Sequence, residues 1–359
     1  MCDERIRKLA KLVVDYSVFV KKGENVMISA STEAAPLVNE LYRQVVLRGA
    51  FPFVNLSTPE MSYIYFRNAS IAQLKKFPSI AFGNIKKMHK YISIGSPSNT
   101  RELTGIAPSR ITQRAKVTKP ISDYIANNPR IHRCTLDFPT NALAQDAEMS
   151  LEEYEDFLYG ACLQNWPALS RRFARVRNAF NRAKSVEIIG EDTHLRLKPH
   201  KNSFILDDGR ENMPGGEVFG APERASVEGH IRFTYPAIRS GVEVTNIFAE
   251  FRHGRCVRAT ADKNESFLNT MLNTDAGSRY IGELGIGMNP RITKFTKNLL
   301  FDEKIIGTIH LAFGMAYRGC GATNKSAIHW DIVKDLRKRG KIVLDGRVVQ
   351  KNGKWRGLR

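Results

Sequence analysis

Hydrophobic residues near the start of the chain follow two different periods. Apolar side chains recur every three or four positions over residues 6–20 and 34–45, which is typical of amphipathic helices. Short apolar runs at residues 26–30 and 51–56 are instead typical of strands. Because a strand, a helix and a second strand with short connections form a right-handed parallel unit, the pattern predicts an N-terminal α/β domain with a parallel sheet.

Further along, the pattern becomes first helical and then strand-rich. A helix is predicted after Ser150, and an arginine-rich helix over residues 166–183. From Val186 onward, short strand-like runs alternate with glycines, at residues 226–233, 242–251 and 257–260, and helices are predicted at 266–273 and 334–337. We therefore predict two domains, an α/β domain of residues 1–183 and a C-terminal, strand-rich α+β domain of residues 184–359.

Composition places the chain among globular proteins. It has 359 residues, of which 42% are hydrophobic and 25% charged. No apolar run approaches the roughly 18 residues that a membrane helix needs, so no membrane contact and a cytoplasmic location are expected. The five cysteines are odd in number and form no CxxC pair, so reduced thiols are expected.

The charge of the chain is strongly positive. The formal net charge is +19, and from Lys334 to Arg359 ten Lys or Arg face two Asp. Such a surface attracts polyanions without sequence specificity. Because no nucleic-acid motif accompanies it, weak polyanion binding is ranked as a secondary property, and a solvated face is the commoner reason for a charge run.

Histidines alternate with apolar residues in two segments near the C-terminus. In segment 328–333, a strand would project His329 and Asp331 onto one face. An imidazole beside a carboxylate is half of a metal site, although a histidine held by its neighbouring acid is more common. Segment 308–314 shows the same alternation around His310, for which a core histidine is the commoner alternative.

Two glutamates lie in glycine-rich segments, Glu217 within 214–219 and Glu283 within 282–287. Glycine lets the backbone approach a site closely, but each glutamate taken alone is more often a surface-loop residue. The sequence lacks HExxH, GxSxG, GxxxxGK[ST] and a GxGxxG after a strand, which disfavours several hydrolase, kinase and dehydrogenase classes. The remaining histidines and acids suit zinc, cobalt or manganese.

Longer motifs resemble the aminopeptidase T and aminopeptidase S family of two-metal exopeptidases, the thermophilic aminopeptidases. They include NMPGGEVF at 212–219, GELGIG at 282–287 and HWD at 329–331. Further matching segments are 138–145, 149–155, 226–229, 273–275 and 301–312. The resemblance therefore spans nearly the whole chain.

This resemblance implies a C-terminal catalytic domain that binds two divalent metal ions. The implied ligands are Glu217, Glu283, His310, His329 and Asp331. Glu283 would be shared between the ions and take part in catalysis, Tyr317 stands where the family has a catalytic tyrosine, and Glu303 would be a further ligand or an outer group. The implied protein is a homodimer that removes single residues from short peptides with a free N-terminus.

Two departures from the family pattern concern Gly220, where threonine is usual, and His194, where aspartate is common. Because glycine has no hydroxyl, Gly220 predicts that a hydrogen bond beside Glu217 is missing. Two alternatives stay open at this point, a basic nucleic-acid-binding protein with weak or no peptidase activity, and a different amidohydrolase built on the same metal cluster.

Overall fold

The computed structural model describes residues 3–239 and 241–357. Its helices, in chain order, are α1 Glu4–Leu12, α2 Ala35–Leu47, α3 Met61–Asn68, α4 Ile71–Lys75, α5 Ser79–Ile85, α6 Pro108–Asn127, α7 Asn141–Asp146, α8 Leu151–Cys162, α9 Trp166–Arg182, α10 Glu265–Leu272 and α11 Leu299–Asp302. Its strands are β1 Asn25–Ser31, β2 Phe51–Ser57, β3 Lys90–Gly95, β4 His132–Asp137, β5 Val186–Gly190, β6 Thr193–Leu197, β7 Ile205–Asp207, β8 Asn212–Met213, β9 Glu217–Gly220, β10 Glu228–Arg232, β11 Ala237–Arg239, β12 Val242–Val244, β13 Phe248–Arg252, β14 Arg255–Thr260, β15 Ile281–Gly287, β16 Thr308–Gly314, β17 His329–Asp335, β18 Lys341–Leu344, β19 Arg347–Lys351 and β20 Lys354–Trp355.

The chain forms two compact units. The first contains the residues up to Gln164 together with Gly209–Pro214, and the second contains Asn165–Asp208 and the residues from Gly215 onward. Helix α9 packs against β7 and β9, so by its contacts it belongs to the second unit, whereas the sequence groups it with the first. Residues 1–183 and 184–359 as independent domains stay a prediction.

The first unit is built around a parallel five-stranded sheet in the order β2-β1-β3-β4-β8. Its centre is apolar because Val26 and Ile28 of β1 are fully buried, as are Leu37 and Leu41 of α2. The predicted parallel α/β arrangement is confirmed. The first predicted helix is interrupted, since α1 is followed by a π-helical turn at Val13–Ser17.

The second unit contains an eight-stranded sheet and a five-stranded antiparallel sheet. The eight-stranded sheet runs β14-β13-β10-β6-β5-β18-β19-β20 and includes the basic C-terminal strands. The other sheet, here named the site sheet, runs β17-β16-β15-β9-β7. A strand-rich α+β part is therefore confirmed.

Two local predictions in the second unit are wrong. Segment 242–251 forms two strands, β12 and β13, because Asn246 adopts a left-handed conformation between them. No helix forms at residues 334–337, since Lys334 pairs with Ile309 and extends β17. Cross-strand hydrogen bonding outweighs the helix propensity of that charged run.

The described cysteines are all buried. Cys134, Cys162, Cys256 and Cys320 are buried and form no disulfide, and Cys2 lies outside the described residues. Among those residues, no helix combines the length and apolar character needed to cross a membrane.

Candidate metal centre

The site sheet brings the five implied ligands to one face. Glu217 begins β9, Glu283 lies on β15, His310 on β16, and His329 and Asp331 on β17. Directly paired residues of an antiparallel sheet share a face. Ala312 of β16 pairs with both Glu283 and Asp331, so those two acids project the same way from either side of a small residue.

Three of these side chains form a first group. The ligand atoms of Glu217, Glu283 and His310 all lie within 4.8 Å of one another. His310 Nε2 is 3.3 Å from Glu217 Oε2 and 3.1 Å from Glu283 Oε1. All three residues are buried, so the group is shielded from solvent.

A second group contains Glu283, His329 and Asp331, and therefore shares Glu283 with the first. His329 Nε2 is 3.2 Å from Asp331 Oδ2 and 4.0 Å from Glu283 Oε2. His329 Nδ1 donates to the Met315 carbonyl oxygen at 2.8 Å, because a carbonyl can only accept. This bond leaves Nε2 as the nitrogen that faces the acids, which is the usual arrangement of a metal-binding histidine.

The His310 ring lies over Gly285, its partner in the pairing of β15 and β16. A Cβ atom at position 285 would stand 1.9 Å from His310 Nε2. Only glycine leaves room for the ring at this place. The glycine-rich segment around Glu283 therefore serves the packing of the imidazole across the strand.

Loop 315–328, which leads into β17, is held by a carboxylate outside both groups. Asp275 accepts hydrogen bonds from Ser326 Oγ at 2.9 Å and from the Ala327 amide at 2.6 Å. Together with the amide and hydroxyl bonds of Gly277 and Ser278, these bonds lower the pKa of Asp275 despite the opposing effect of burial. Asp275, at the end of segment 273–275, therefore holds in place the residues that directly precede His329.

A buried lysine beside the first group was missed by the sequence analysis. Lys304 Nζ lies 3.1 Å from Glu217 Oε1, 3.4 Å from Glu303 Oε2 and 3.7 Å from Asp207 Oδ2. The available signal was the charged triplet 302–304 between apolar residues on both sides. Such a triplet indicates buried ion pairs, because charges in an apolar segment need partners.

The model of the thermophilic metalloprotease family M29 matches residues 2–355, almost the whole chain. The chain belongs to the M29 family. It is 27% identical to aminopeptidase T of Thermus thermophilus, over 87% of this chain and 85% of that one. It is 26% identical to aminopeptidase AmpS of Bacillus subtilis, over 98% of both chains.

Solved structures agree in fold with this M29 chain. AmpT from Thermus thermophilus superposes with a TM-score of 0.86 at 23% identity, over 99% of this chain and 100% of that one. The 2,5-dihydroxypyridine dioxygenase of Pseudomonas putida KT2440 has a TM-score of 0.61 at 13% identity, over 98% and 96%. Because one fold carries different chemistries, the residues of the site decide the function. None of these findings supports the nucleic-acid-binding alternative.

Membership of M29 implies divalent metal ions, and the residues fit them. Within the described chain, Glu217 Oε2, Glu283 Oε2 and Asp331 Oδ1 are buried and lack a hydrogen-bond partner. A buried carboxylate oxygen without a donor is costly, and a divalent cation removes that cost. The mixture of carboxylate oxygens and imidazole nitrogens is the donor set of zinc and similar metals.

The acids also shift the pKa values of the imidazoles. Burial alone would lower the pKa of His310, but Glu283 and Glu217 raise it to about 10. Burial likewise opposes the charged form of His329, yet Asp331 and Glu283 raise its pKa to about 10. The negative charge that favours a proton at these nitrogens equally favours a metal cation.

Burial acts differently on the acids of this M29 site. Burial raises the pKa of Glu283, against the opposing effect of His310. The pKa of Asp331 is lowered, because His329 outweighs burial. Burial would lower the pKa of the Lys304 ammonium, but the surrounding acids, led by Glu217, raise it above its ordinary value.

Two further predicted residues lie outside both groups. The structure does not bring Glu303 into either set of ligand atoms, although burial together with Asp331 and Glu217 raises its pKa to about 8. The Tyr317 ring centroid is 4.7 Å from that of His329, and the side chain is 45% exposed. Partial burial is the main cause of a raised pKa for Tyr317, and the negative charge of Glu283 raises that pKa further. The hydroxyl therefore keeps its proton.

The two departures from the family pattern lie apart from these groups. A Cβ atom at Gly220 would stand 2.7 Å from the Phe204 ring, and strand alternation directs it away from the face that carries Glu217. The position therefore serves packing under Phe204 instead of a hydrogen bond beside the ligand. His194 lies on β6 and faces Glu187 at 3.4 Å.

Proposed function

We propose that this chain is a metal-dependent aminopeptidase that releases N-terminal amino acids from short peptides. The observation that carries the proposal is the sharing of Glu283 by two ligand groups. A shared carboxylate is suited to hold two cations close together, as in other two-metal hydrolases. The names of the aminopeptidase relatives agree with this function.

Five side chains would hold the metal, in two sets joined by Glu283. One set is Glu217, Glu283 and His310, and the other is Glu283, His329 and Asp331. When bound, a pair of divalent cations supplies an activated water, a polarised scissile carbonyl and an anchor for the free amine of the substrate. We propose zinc, cobalt or manganese, on the basis of the mixed donor set.

The chain's own residues supply the remaining steps. The Tyr317 hydroxyl donates a hydrogen bond to the oxyanion that forms at the carbonyl carbon, since it stays protonated and its ring packs beside that of His329. A proton must also pass from the attacking water to the leaving amine. We assign that transfer to Glu303, which contacts the same ammonium as Glu217 but belongs to neither ligand group.

The family resemblance extends the proposal to assembly and location. We propose a homodimer in the cytoplasm, as the sequence predicted. The exposed basic residues of the C-terminal strands, such as Arg347 and Lys351, provide a surface for weak polyanion binding. Such binding should decline steeply with salt and leave peptidase activity unchanged.

The first test compares peptides with free and acetylated N-termini. Released amino acids should be detected only with the free amine, should disappear after chelation, and should return when zinc, cobalt or manganese is added. Metal content is measured on the same samples. Cleavage of acetylated peptides would favour a different amidohydrolase, and inertness of free-amine peptides with every metal would refute the peptidase proposal.

Tyr317→Phe should lower kcat by roughly 100- to 1000-fold, the range found when one oxyanion donor is removed. Metal content should be unchanged, because the hydroxyl belongs to neither ligand group. Tyr280→Phe is the matched control, since that ring stacks with Arg224 instead. Equal kcat values for the two variants would remove Tyr317 from the mechanism.

A further inference from the structure

Lys304 is a cation enclosed by acids inside the site. Its side chain is 0% exposed, and its ammonium contacts Glu217, Glu303 and Asp207 at 3.1, 3.4 and 3.7 Å. Burial of an ammonium is costly without partners, so three carboxylates around one lysine form a built arrangement. None of the proposed catalytic steps uses this lysine.

The lysine distinguishes the two oxygens of Glu217. Nζ contacts Oε1, whereas Oε2 is the oxygen that lies 3.3 Å from His310 Nε2 in the first ligand group. Oε2 is also the oxygen that lacks a hydrogen-bond donor among the described residues. One oxygen is therefore occupied by the ammonium and the other is directed at the metal position.

The strand register explains why a cation is needed here. Asp207 of β7 pairs directly with Glu217 of β9, which sets two carboxylates opposite one another. Like charges at paired positions repel and destabilise the sheet. Lys304 enters from the segment after α11 and contacts both acids, which turns the repulsion into two attractions.

The summed charge of the cluster also indicates that a cation is needed at this place. The cluster holds five carboxylates, on Asp207, Glu217, Glu283, Glu303 and Asp331. When all five are ionised, two divalent cations and one ammonium carry the five positive charges that balance them, so this state is neutral only when Lys304 is counted. The ammonium thus supplies the one positive charge that two divalent cations leave unbalanced.

We propose that Lys304 is a positioning residue that restricts Glu217 to metal binding through Oε2 alone, with Asp207 holding the ammonium in place. The inference rests on the proposed two-metal function. It makes the first ligand group, with Glu217 and His310, dependent on Lys304. The second group, with His329 and Asp331, depends on it much less, because no contact joins those residues to Nζ within the described structure.

The test is a cobalt(II) titration of the full chain, followed by calorimetry and by the visible absorption of the bound ion. Wild-type protein should bind two ions. Lys304→Met should weaken one of them by roughly 10- to 100-fold, the usual effect of losing a partner that orients a ligand. The absorption band of that ion should also change, since Glu217 is released to rotate and bind through both oxygens. Lys304→Arg should restore part of the affinity.

Lys334→Met is the matched control. Lys334 is also buried, but its ammonium donates to the Glu191 carbonyl oxygen at 2.9 Å and contacts none of the five acids. Its cobalt isotherm and spectrum should equal those of the wild type. A loss of cobalt in both variants would show that any buried lysine matters for folding, and would overturn the specific role of Lys304.

Asp207→Asn keeps Lys304 and preserves the side-chain volume, so it is the second variant if Lys304→Met does not fold. It should weaken the same ion to a smaller extent and change the same absorption band. An unchanged spectrum in Asp207→Asn, or equal or tighter cobalt binding in folded Lys304→Met, would overturn the inference while the two-metal function stands. A wild-type protein that binds no cobalt, zinc or manganese would instead refute the proposed function and this inference with it.

Discussion

Glu283→Gln should abolish peptide hydrolysis, with a loss in kcat/KM of roughly 1000-fold or more. Glu283 belongs to both ligand groups, and the amide carries no charge for either position. Metal catalysis contributes several kcal/mol, and about 1.4 kcal/mol corresponds to a factor of ten in rate. The measurement is kcat/KM with a free-amine peptide, together with the metal content of the purified variant.

The fold should tolerate Glu283→Gln. Burial raises the pKa of Glu283, which means that the charged form is unfavourable in this environment. Glutamine has nearly the same volume as glutamate, so Glu283→Gln leaves no cavity, and the variant should still unfold in a cooperative thermal transition. Glu250→Gln, a surface change on β13 where the acid contacts Arg252, serves as the control. Wild-type turnover in Glu283→Gln would show that the shared-ligand assignment is wrong.

Gly285→Ala should remove the metal of the first group through one added methyl group. The new Cβ would stand 1.9 Å from His310 Nε2 and 2.0 Å from its Cε1, far below any permitted contact. His310 cannot swing away, because it is fully buried on β16 between β15 and β17. The expected result is a loss of one metal ion and a fall in kcat/KM of roughly 100-fold or more, together with about 1–3 kcal/mol of stability.

Gly190→Ala is the control for that change. Gly190 lies on β5 of the same unit, and an added Cβ would meet its nearest neighbours at an ordinary 3.5 Å. Its metal content and activity should match those of the wild type. Two bound metals and full activity in Gly285→Ala would mean that the backbone shifts to accommodate the methyl, and that His310 is not held as described.

Local pattern was sufficient for much of the fold. Apolar runs at 26–30 and 51–56 became the paired parallel strands β1 and β2, of which β1 is largely buried and β2 lies mostly exposed at the edge of the sheet. The alternation around His329 predicted one face for His329 and Asp331, which the strand β17 provides. Charged segment 334–337 was misjudged, since pairing with β16 extends β17 through Lys334 and Asp335, and Leu336 and Arg337 follow outside any helix.

The convergence of the ligands required more than local pattern. Glu217 and His310 are far apart in sequence, and nothing in either segment alone indicates the other. The sequence identified them through the family resemblance, with roles that stay a proposal. Their proximity follows from the order β17-β16-β15-β9, a property of the assembled sheet.

The sequence by itself determined which residues can bind metal, which family the chain resembles and where most strands of the first unit run, because these depend on residue type and short-range period. Tertiary structure alone decided that Lys304 contacts both Asp207 and Glu217, that Gly285 makes room for His310, and that Glu303 lies outside both ligand groups. The reason is physical: charge pairing and steric fit depend on distances across strands, and those distances are set only when distant segments pair.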